Sequence, residues 1–389
     1  MTTDATPRLR RAVLRDDERV RPLELFFDLV FVLTLTQCTA LMAEHPNWRG
    51  LVQGVLVAGI MWWGWVGYSW VGSVVDPEEG MVRLGFFAAM GGLLVVALCI
   101  PHAFGDKALL FAVGYGIVRY AQLYLLSLGA RDNPALRRSI RGLTVGTSLG
   151  VALLIGGSFA DGWLQIGIWA LALSLDMGEP FVFGSEGWTL RPGHFAERHG
   201  LMIIVALGES IVAIGVGARE LDLDAGVVAA ALLALGISAA LWWLYFDVVA
   251  LVAERRLHKA AEGRERNEIA RDSFSYLHFP MIAGIELMAL GFEMTIEHVD
   301  EHLELIPAVA LMGGGAIYLL AHVAFRWRNV RRFSVQRLVA AAVLLALIPL
   351  ARHTPALASL AIVMAVLVAV LIYEYLRFAE LRSRLRQAA

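Results

Sequence analysis

Apolar runs of about 20 residues recur along this chain, separated by short polar breaks. A run of that length crosses the roughly 30 Å hydrocarbon core of a bilayer as an α-helix. Twelve are predicted, over 23–43, 50–72, 80–103, 107–129, 136–158, 162–183, 194–217, 225–251, 273–297, 304–325, 335–352 and 356–377. The breaks carry turn residues or charge: EHPNW, DPEEG, FGDK, RDNPALRR, ERRLHKAAEGRERNEIARD, RWRNVRRF and RHTP. Proline, glycine and clustered charge are what ends an apolar helix. The expected class is an all-α polytopic membrane protein with about twelve transmembrane helices.

Composition agrees with that pattern. Hydrophobic residues make up 58% of the chain and charged residues only 17%, against about 25% charged in soluble domains. The net charge of −2 says little, but the placement of the basic residues says more. With a cytoplasmic N-terminus, only Arg49, Lys107, Arg219 and Arg352 of the 33 basic residues fall on the outer side, and Arg119 lies within a span. The other 28 fall inside, which predicts twelve spans with both termini cytoplasmic. The two cysteines, Cys38 and Cys99, sit in apolar runs and read as small core residues rather than as a disulfide or a metal site. The polar, Arg-rich first 22 residues do not resemble a cleaved signal peptide.

The second half of the sequence echoes the first. MWWGWVGY (61–68) is matched by LWWLYFDV (241–248), LGFFAAMGGLLVVAL in span 3 by LHFPMIAGIELMAL in span 9, and ELFFDLVFVLTLTQ in span 1 by ERHGLMIIVALGES in span 7. Order and direction are kept, so two six-helix pseudo-repeats in parallel orientation are expected. The implied organisation is an Arg-rich cytoplasmic segment (1–22), a first half (23–183), a linker (184–193), a second half (194–377) and a cytoplasmic tail (378–389).

Candidate chemistry lies in the charges inside the spans. Arg119, Glu209 and Glu286 fall near the middle of spans 4, 7 and 9. One charge at the bilayer centre costs about 2.5–3.5 kcal/mol on insertion scales, so these groups should face the bundle interior. Arg119 stays protonated and needs one carboxylate, with Glu209 or Glu286 as the expected partner. The acid left over must be protonated, hydrated or bound to a cation, which is the chemistry of an ion carrier. The bland alternative is a buried ion pair that fixes helix register. Gln37, Thr36 and Gln122 are polar neighbours at similar depth.

A second group lies nearer the cytoplasmic side: Glu24, Asp28, Asp176, Glu179, Glu197, His199, Asp247, His278 and His322. Glu24 and Glu197 sit where helices begin and a negative charge suits the helix dipole. Asp28 is one turn beyond Glu24 on the same face, and Asp247 follows the aromatic run WWLYF. Such a vestibule could gather cations or protons. Glu293 lies two turns beyond Glu286 and could continue a path outward. Tryptophans Trp62, Trp63, Trp65, Trp70, Trp242 and Trp243 read as packing residues. No HExxH, P-loop or Rossmann fingerprint occurs, so no metal, cofactor or catalytic residue is expected. Topology and anionic lipid contact account for the Arg-rich loops without a nucleic-acid partner.

RPLELFFDLVFVLTLTQ and ERHGLMIIVALGESIVAIG resemble the two signature stretches of the bacterial low temperature requirement protein A (LtrA) family, over about residues 20 to 380. By match to those stretches, Glu24 and Asp28 belong to the first, and Glu197, Glu209 and Ser210 to the second. The resemblance implies a multi-pass bacterial inner-membrane protein connected by name with growth in the cold, and no settled activity. The favoured expectation is a proton- or cation-coupled transporter of a small solute, in contact with membrane lipids and with the oligomeric state open. Glu24 and Asp28 would form its cytoplasmic entrance. The alternatives are a membrane-embedded enzyme acting on a lipid and a non-catalytic scaffold linked to cold tolerance.

Overall fold

The computed structural model describes residues 19–78, 80–182 and 187–379. Among them the regular elements are helical, apart from isolated bridge residues such as His302 with Pro355. The helices are α1 (Pro22–Glu44), α2 (Trp48–Val74), α3 (Gly80–Cys99), α4 (Ala108–Gly129), α5 (Pro134–Gly157), α6 (Gly162–Val182), α7 (Pro192–Gly217), α8 (Ala225–Phe246), α9 (Val249–Lys259), α10 (Arg264–Ile269), α11 (His278–Glu297), α12 (Leu305–Ala308), α13 (Gly314–Val330), α14 (Val335–Ala351) and α15 (Ala356–Arg377). Twelve of them are long, one for each expected span. Ten helical stretches have the length and apolarity to cross a membrane. The other two long helices are α14, apolar but only 17 residues, and α6, whose apolar character Gln165, Asp176 and Glu179 dilute.

Local chemistry explains the boundaries. Asn133 caps α5 through its side chain, accepting from the Leu136 N–H, and Pro134 supplies the pre-set first turn. Asp224 caps α8 by accepting from Val227 N–H. The expected span 225–251 is broken: α8 ends at Phe246, Asp247 follows, and α9 resumes as a short amphipathic helix rich in charge. Two wide turns of π-helix, Ala270–Tyr276 and Val309–Gly313, lead into α11 and α13.

The chain divides into two compact units. Of the described residues, the first holds those within 19–37, 56–198 and 261–268, and the second those within 38–55, 199–260 and 269–379. In the first unit α3 packs on α4, α4 on α5 and α5 on α6. In the second, α11 packs on α13, α13 on α14, α14 on α15 and α15 on α8. The α11–α13 crossing brings backbone to backbone. A Cβ built on Gly284 would stand 2.7 Å from the Gly314 carbonyl oxygen, and one on Gly291 would stand 2.7 Å from Leu311 Cα. Small residues at such crossings are how helices associate where lipid offers no hydrophobic drive.

Candidate functional site

The two carboxylates at the start of α1 hold a buried arginine. Arg21 N–H donates to Glu24 Oε2 at 2.9 Å, the reciprocal half of a helix cap. Glu24 Oε1 turns the other way and accepts from Arg198 Nη1 at 3.1 Å, with His194 Nε2 at 2.8 Å. One turn on, Asp28 Oδ1 accepts from Arg198 Nη2 at 2.5 Å and from Trp65 Nε1 at 2.8 Å. The Trp65 ring lies 5.3 Å from the guanidinium carbon, in cation–π range. His194 Nδ1 meets Ser73 Oγ at 3.1 Å. Glu24, His194 and Arg198 have no exposed surface. Gly72 makes room for this cluster, since a Cβ there would strike Glu24 Oε1.

Helical spacing builds the arrangement. Glu24 and Asp28 are four residues apart on α1, and His194 and Arg198 are four apart on α7. Each pair shares a helix face, so two acids meet two bases in one layer. Arg198 and His194 were not among the residues singled out from sequence. The signal was present as a second i, i+4 pair of charge, HFAER, set against the first. Trp65, expected to be packing alone, also donates to Asp28. Glu197, by contrast, is exposed, and its Oε2 accepts from Val20 N–H at 3.2 Å.

A second buried cation organises the rest of the first unit. Arg119 of α4 donates from Nη2 to Asp176 Oδ1 of α6 and to Thr147 Oγ1 of α5, both at 2.9 Å. Its Nη1 donates to Gln122 Oε1 at 2.8 Å. Glu179, one turn below Asp176, accepts from Gly146 N–H at 3.2 Å. The partner of Arg119 is therefore Asp176, where Glu209 or Glu286 was expected. Asp176, expected with the cytoplasmic group, reaches Arg119 from the buried face of α6. Gln122 joins Arg119 as a polar neighbour; Gln37 is half-buried and makes no side-chain hydrogen bond among the described residues.

The second unit holds the remaining acids. Glu209 on α7 and Glu286 on α11 are buried and close enough to interact electrostatically, and Glu293 also feels Glu209. Glu286 has no exposed surface, and neither of its carboxylate oxygens has a hydrogen-bond partner among the described residues. Ser210 does not turn to the acids: its hydroxyl donates to Leu207 O at 2.7 Å and meets Ser238 Oγ of α8 at 3.1 Å. Asp247 sits in the break after α8 and lines a cavity.

Histidines and tyrosines form a separate chain in this unit. His278 Nδ1 faces the Ser273 carbonyl of the π-helical turn at 3.0 Å, so it carries the proton, and Nε2 accepts from the Tyr245 hydroxyl at 2.8 Å. The His199 ring lies 5.2 Å from that of His278. Of the tryptophans, Trp62, Trp63 and Trp65 are buried, but Trp242 and Trp243 are about half exposed. The Trp242 ring still packs, stacked on Phe246 at 5.3 Å between centres, and Trp243 lines the cavity beside Asp247. Among the described residues, no group of three or more His, Cys, Asp or Glu is arranged to hold a metal ion.

Long apolar helices with charges sequestered inside them define a polytopic α-helical membrane protein. Its family is equally definite. The chain belongs to the bacterial low temperature requirement A protein (LtrA) family, whose model matches residues 19–372. It is 27% identical over 369 residues to the uncharacterized protein RA0937 of Rhizobium meliloti (strain 1021), covering 92% of this chain and 90% of that one. No solved structure matches it.

Proposed function

We propose that this multi-pass membrane protein is a proton- or cation-coupled transporter of a small solute, with Glu286 as the carboxylate that takes up and releases the ion. The observation that carries the reading is the state of Glu286: buried, without a hydrogen-bond partner among the described residues, and within electrostatic range of Glu209. A carboxylate in that setting needs a proton or a cation to be tolerated. A fixed arginine would hold it permanently, as Asp176 is held by Arg119. A mobile ion leaves it exchangeable, which is what coupling requires. Glu293 extends the acidic line along α11.

Glu24 and Asp28 take a different part from the entrance first expected. Both are committed to Arg198, and in this proposal they brace α1 against α7. The proposal keeps both termini in the cytoplasm of a bacterial inner membrane, on the strength of the basic-residue distribution. It also keeps two six-helix halves, 23–183 and 194–377. Their support is the shared packing order, α3–α4–α5–α6 and α11–α13–α14–α15. The flanking 1–18 and 380–389 and linker positions 183–186 lie outside the described residues.

The test is ion flux in proteoliposomes. Proton, sodium and potassium gradients are imposed in turn and followed with pH and voltage dyes against empty liposomes. Flux under one gradient, lost in Glu286→Gln while the protein still elutes as a folded species, is expected. Flux unchanged in Glu286→Gln would remove that residue from the mechanism. Silence under every gradient would favour the scaffold reading, which draws on the two closed charge networks of the first unit.

A further inference from the structure

A cavity of about 330 Å³ opens in the second unit, among the ends of α8, α13, α14 and α15 and the start of α9. It is distinct from the acids of α7 and α11, none of which lines it. Its volume is at the lower end of the range for small-molecule pockets, about 300–1,000 Å³. Most of the wall is apolar: Val248, Val252, Phe325 and Leu371 contribute to it.

The polar part of the wall is basic and incompletely neutralised. Three arginines, Arg326, Arg332 and Arg337, face two carboxylates, Asp247 and Glu374. Arg337 and Glu374 cancel one another. Arg337 Nε donates to Glu374 Oε1 and Nη2 to Oε2, both at 2.8 Å. Arg326 has no carboxylate at ion-pair distance among the described residues. Its Nη1 donates to Ser334 Oγ at 3.0 Å, and its guanidinium carbon lies 5.5 Å from the Phe378 ring centre. A half-buried guanidinium satisfied by one hydroxyl and one ring keeps donors for an anion.

His322 adds a second polar feature one turn deeper on α13. Its Nδ1 lies 2.9 Å from the Tyr318 carbonyl, which can only accept, so Nδ1 holds the proton. Nε2 is then an acceptor, buried and without a partner among the described residues. His322 and Arg326 are four residues apart, about 6 Å along the helix. A ligand with its anionic group on Arg326 would carry a donor a few atoms along to meet that ring.

We infer that this cavity binds a single-chain anionic amphiphile, its carboxylate or phosphate on Arg326, its chain against Val248, Val252 and Leu371, and a hydroxyl near the head directed to His322. A volume of about 330 Å³ holds one short chain and excludes the paired chains of a bilayer lipid. Binding here does not depend on the transport reading.

The experiment is calorimetric titration of the full chain in phosphatidylcholine nanodiscs with 3-hydroxydecanoate, decanoate, decanol and a short-chain lysophosphatidate. Saturable binding of the anions is expected, weakest for decanol and stronger for the hydroxy acid than for decanoate. Arg326→Gln should weaken anion binding by about tenfold or more, His322→Phe should erase the preference for the hydroxyl, and Val252→Trp should block the site. Tighter binding of lysophosphatidate would name a lysolipid as the source, and tighter binding of the acid a free fatty acid. Decanol binding as tightly as the anions would overturn the inference. So would anion binding unaffected by Val252→Trp and Arg326→Gln, or no saturation by any of the three anions up to about 1 mM.

Discussion

Arg198→Gln is the sharpest perturbation of the structure described here. The side chain has no exposed surface and spans two carboxylates, Glu24 at 3.1 Å and Asp28 at 2.5 Å. Removing one partner of a buried ion pair costs about 3–5 kcal/mol, because the stranded charge is left without compensation. Here two acids are stranded one turn apart, so the upper part of that range applies. For domains of 150–250 residues each kcal/mol shifts Tm by about 2–4 °C, which places the expected loss at roughly 10–20 °C. The assay is thermal unfolding in detergent, read by tryptophan emission and by retention on size exclusion. Arg198→Gln combined with Asp28→Asn should be more stable than Arg198→Gln alone, because the second change removes a stranded charge. A role in packing alone would make the two losses add. A Tm within 2 °C of wild type for the single variant, or a double variant that is less stable still, would refute the clamp.

Arg119→Gln should destabilise the first unit by about 3–5 kcal/mol for the same reason, and Asp176→Asn placed on that background should restore part of the lost Tm. Gly291→Ala should cost about 1–3 kcal/mol, the usual penalty of overpacking, because its Cβ would stand 2.7 Å from Leu311 Cα. Gly91→Ala, where nothing lies within 4 Å, is the control and should melt at or slightly above wild type, since alanine is favoured over glycine inside a helix by about 0.5–1 kcal/mol.

The helices were legible because a bilayer imposes a length on them. Runs of apolar residues and charged breaks fixed twelve segments, and their limits match the observed helices to within a few residues. The departures fall where that rule carries no information. The α8–α9 break falls at a single acid, Asp247, at the end of an apolar run, and the two π-helical turns are local widenings of the helix, one beginning within the charged break that ends at Asp272 and one just after Pro307, neither of which stops the helix. The acids were legible too, since each is costly in lipid. Their partners were not. Arg198 was hidden because it stands in the first two turns of α7 with Glu197 and His199 beside it, and reads as part of a polar helix end. The choice of Asp176 over Glu209 or Glu286 for Arg119 depends on which face of α6 meets α4 and α5, and depth along a span does not encode that.

The pairing of the charges bears on function more than their number does. In the first unit each buried arginine is met by acids: Arg119 by Asp176, Arg198 by Glu24 and Asp28. Fixed pairs of that kind hold helices in register, and a purely structural protein needs nothing more. Glu286 does not fit such a design. A buried carboxylate without a partner destabilises a fold wherever it is ionised, and glutamine at the same position would avoid the charge at nearly the same volume. Retaining the acid beside Glu209 makes sense where its proton or cation has to leave. Glu286→Gln therefore separates the readings on stability as well as on flux. A structural acid predicts loss of Tm on substitution, whereas an ion-carrying acid predicts a variant at least as stable as the wild type that no longer moves the ion.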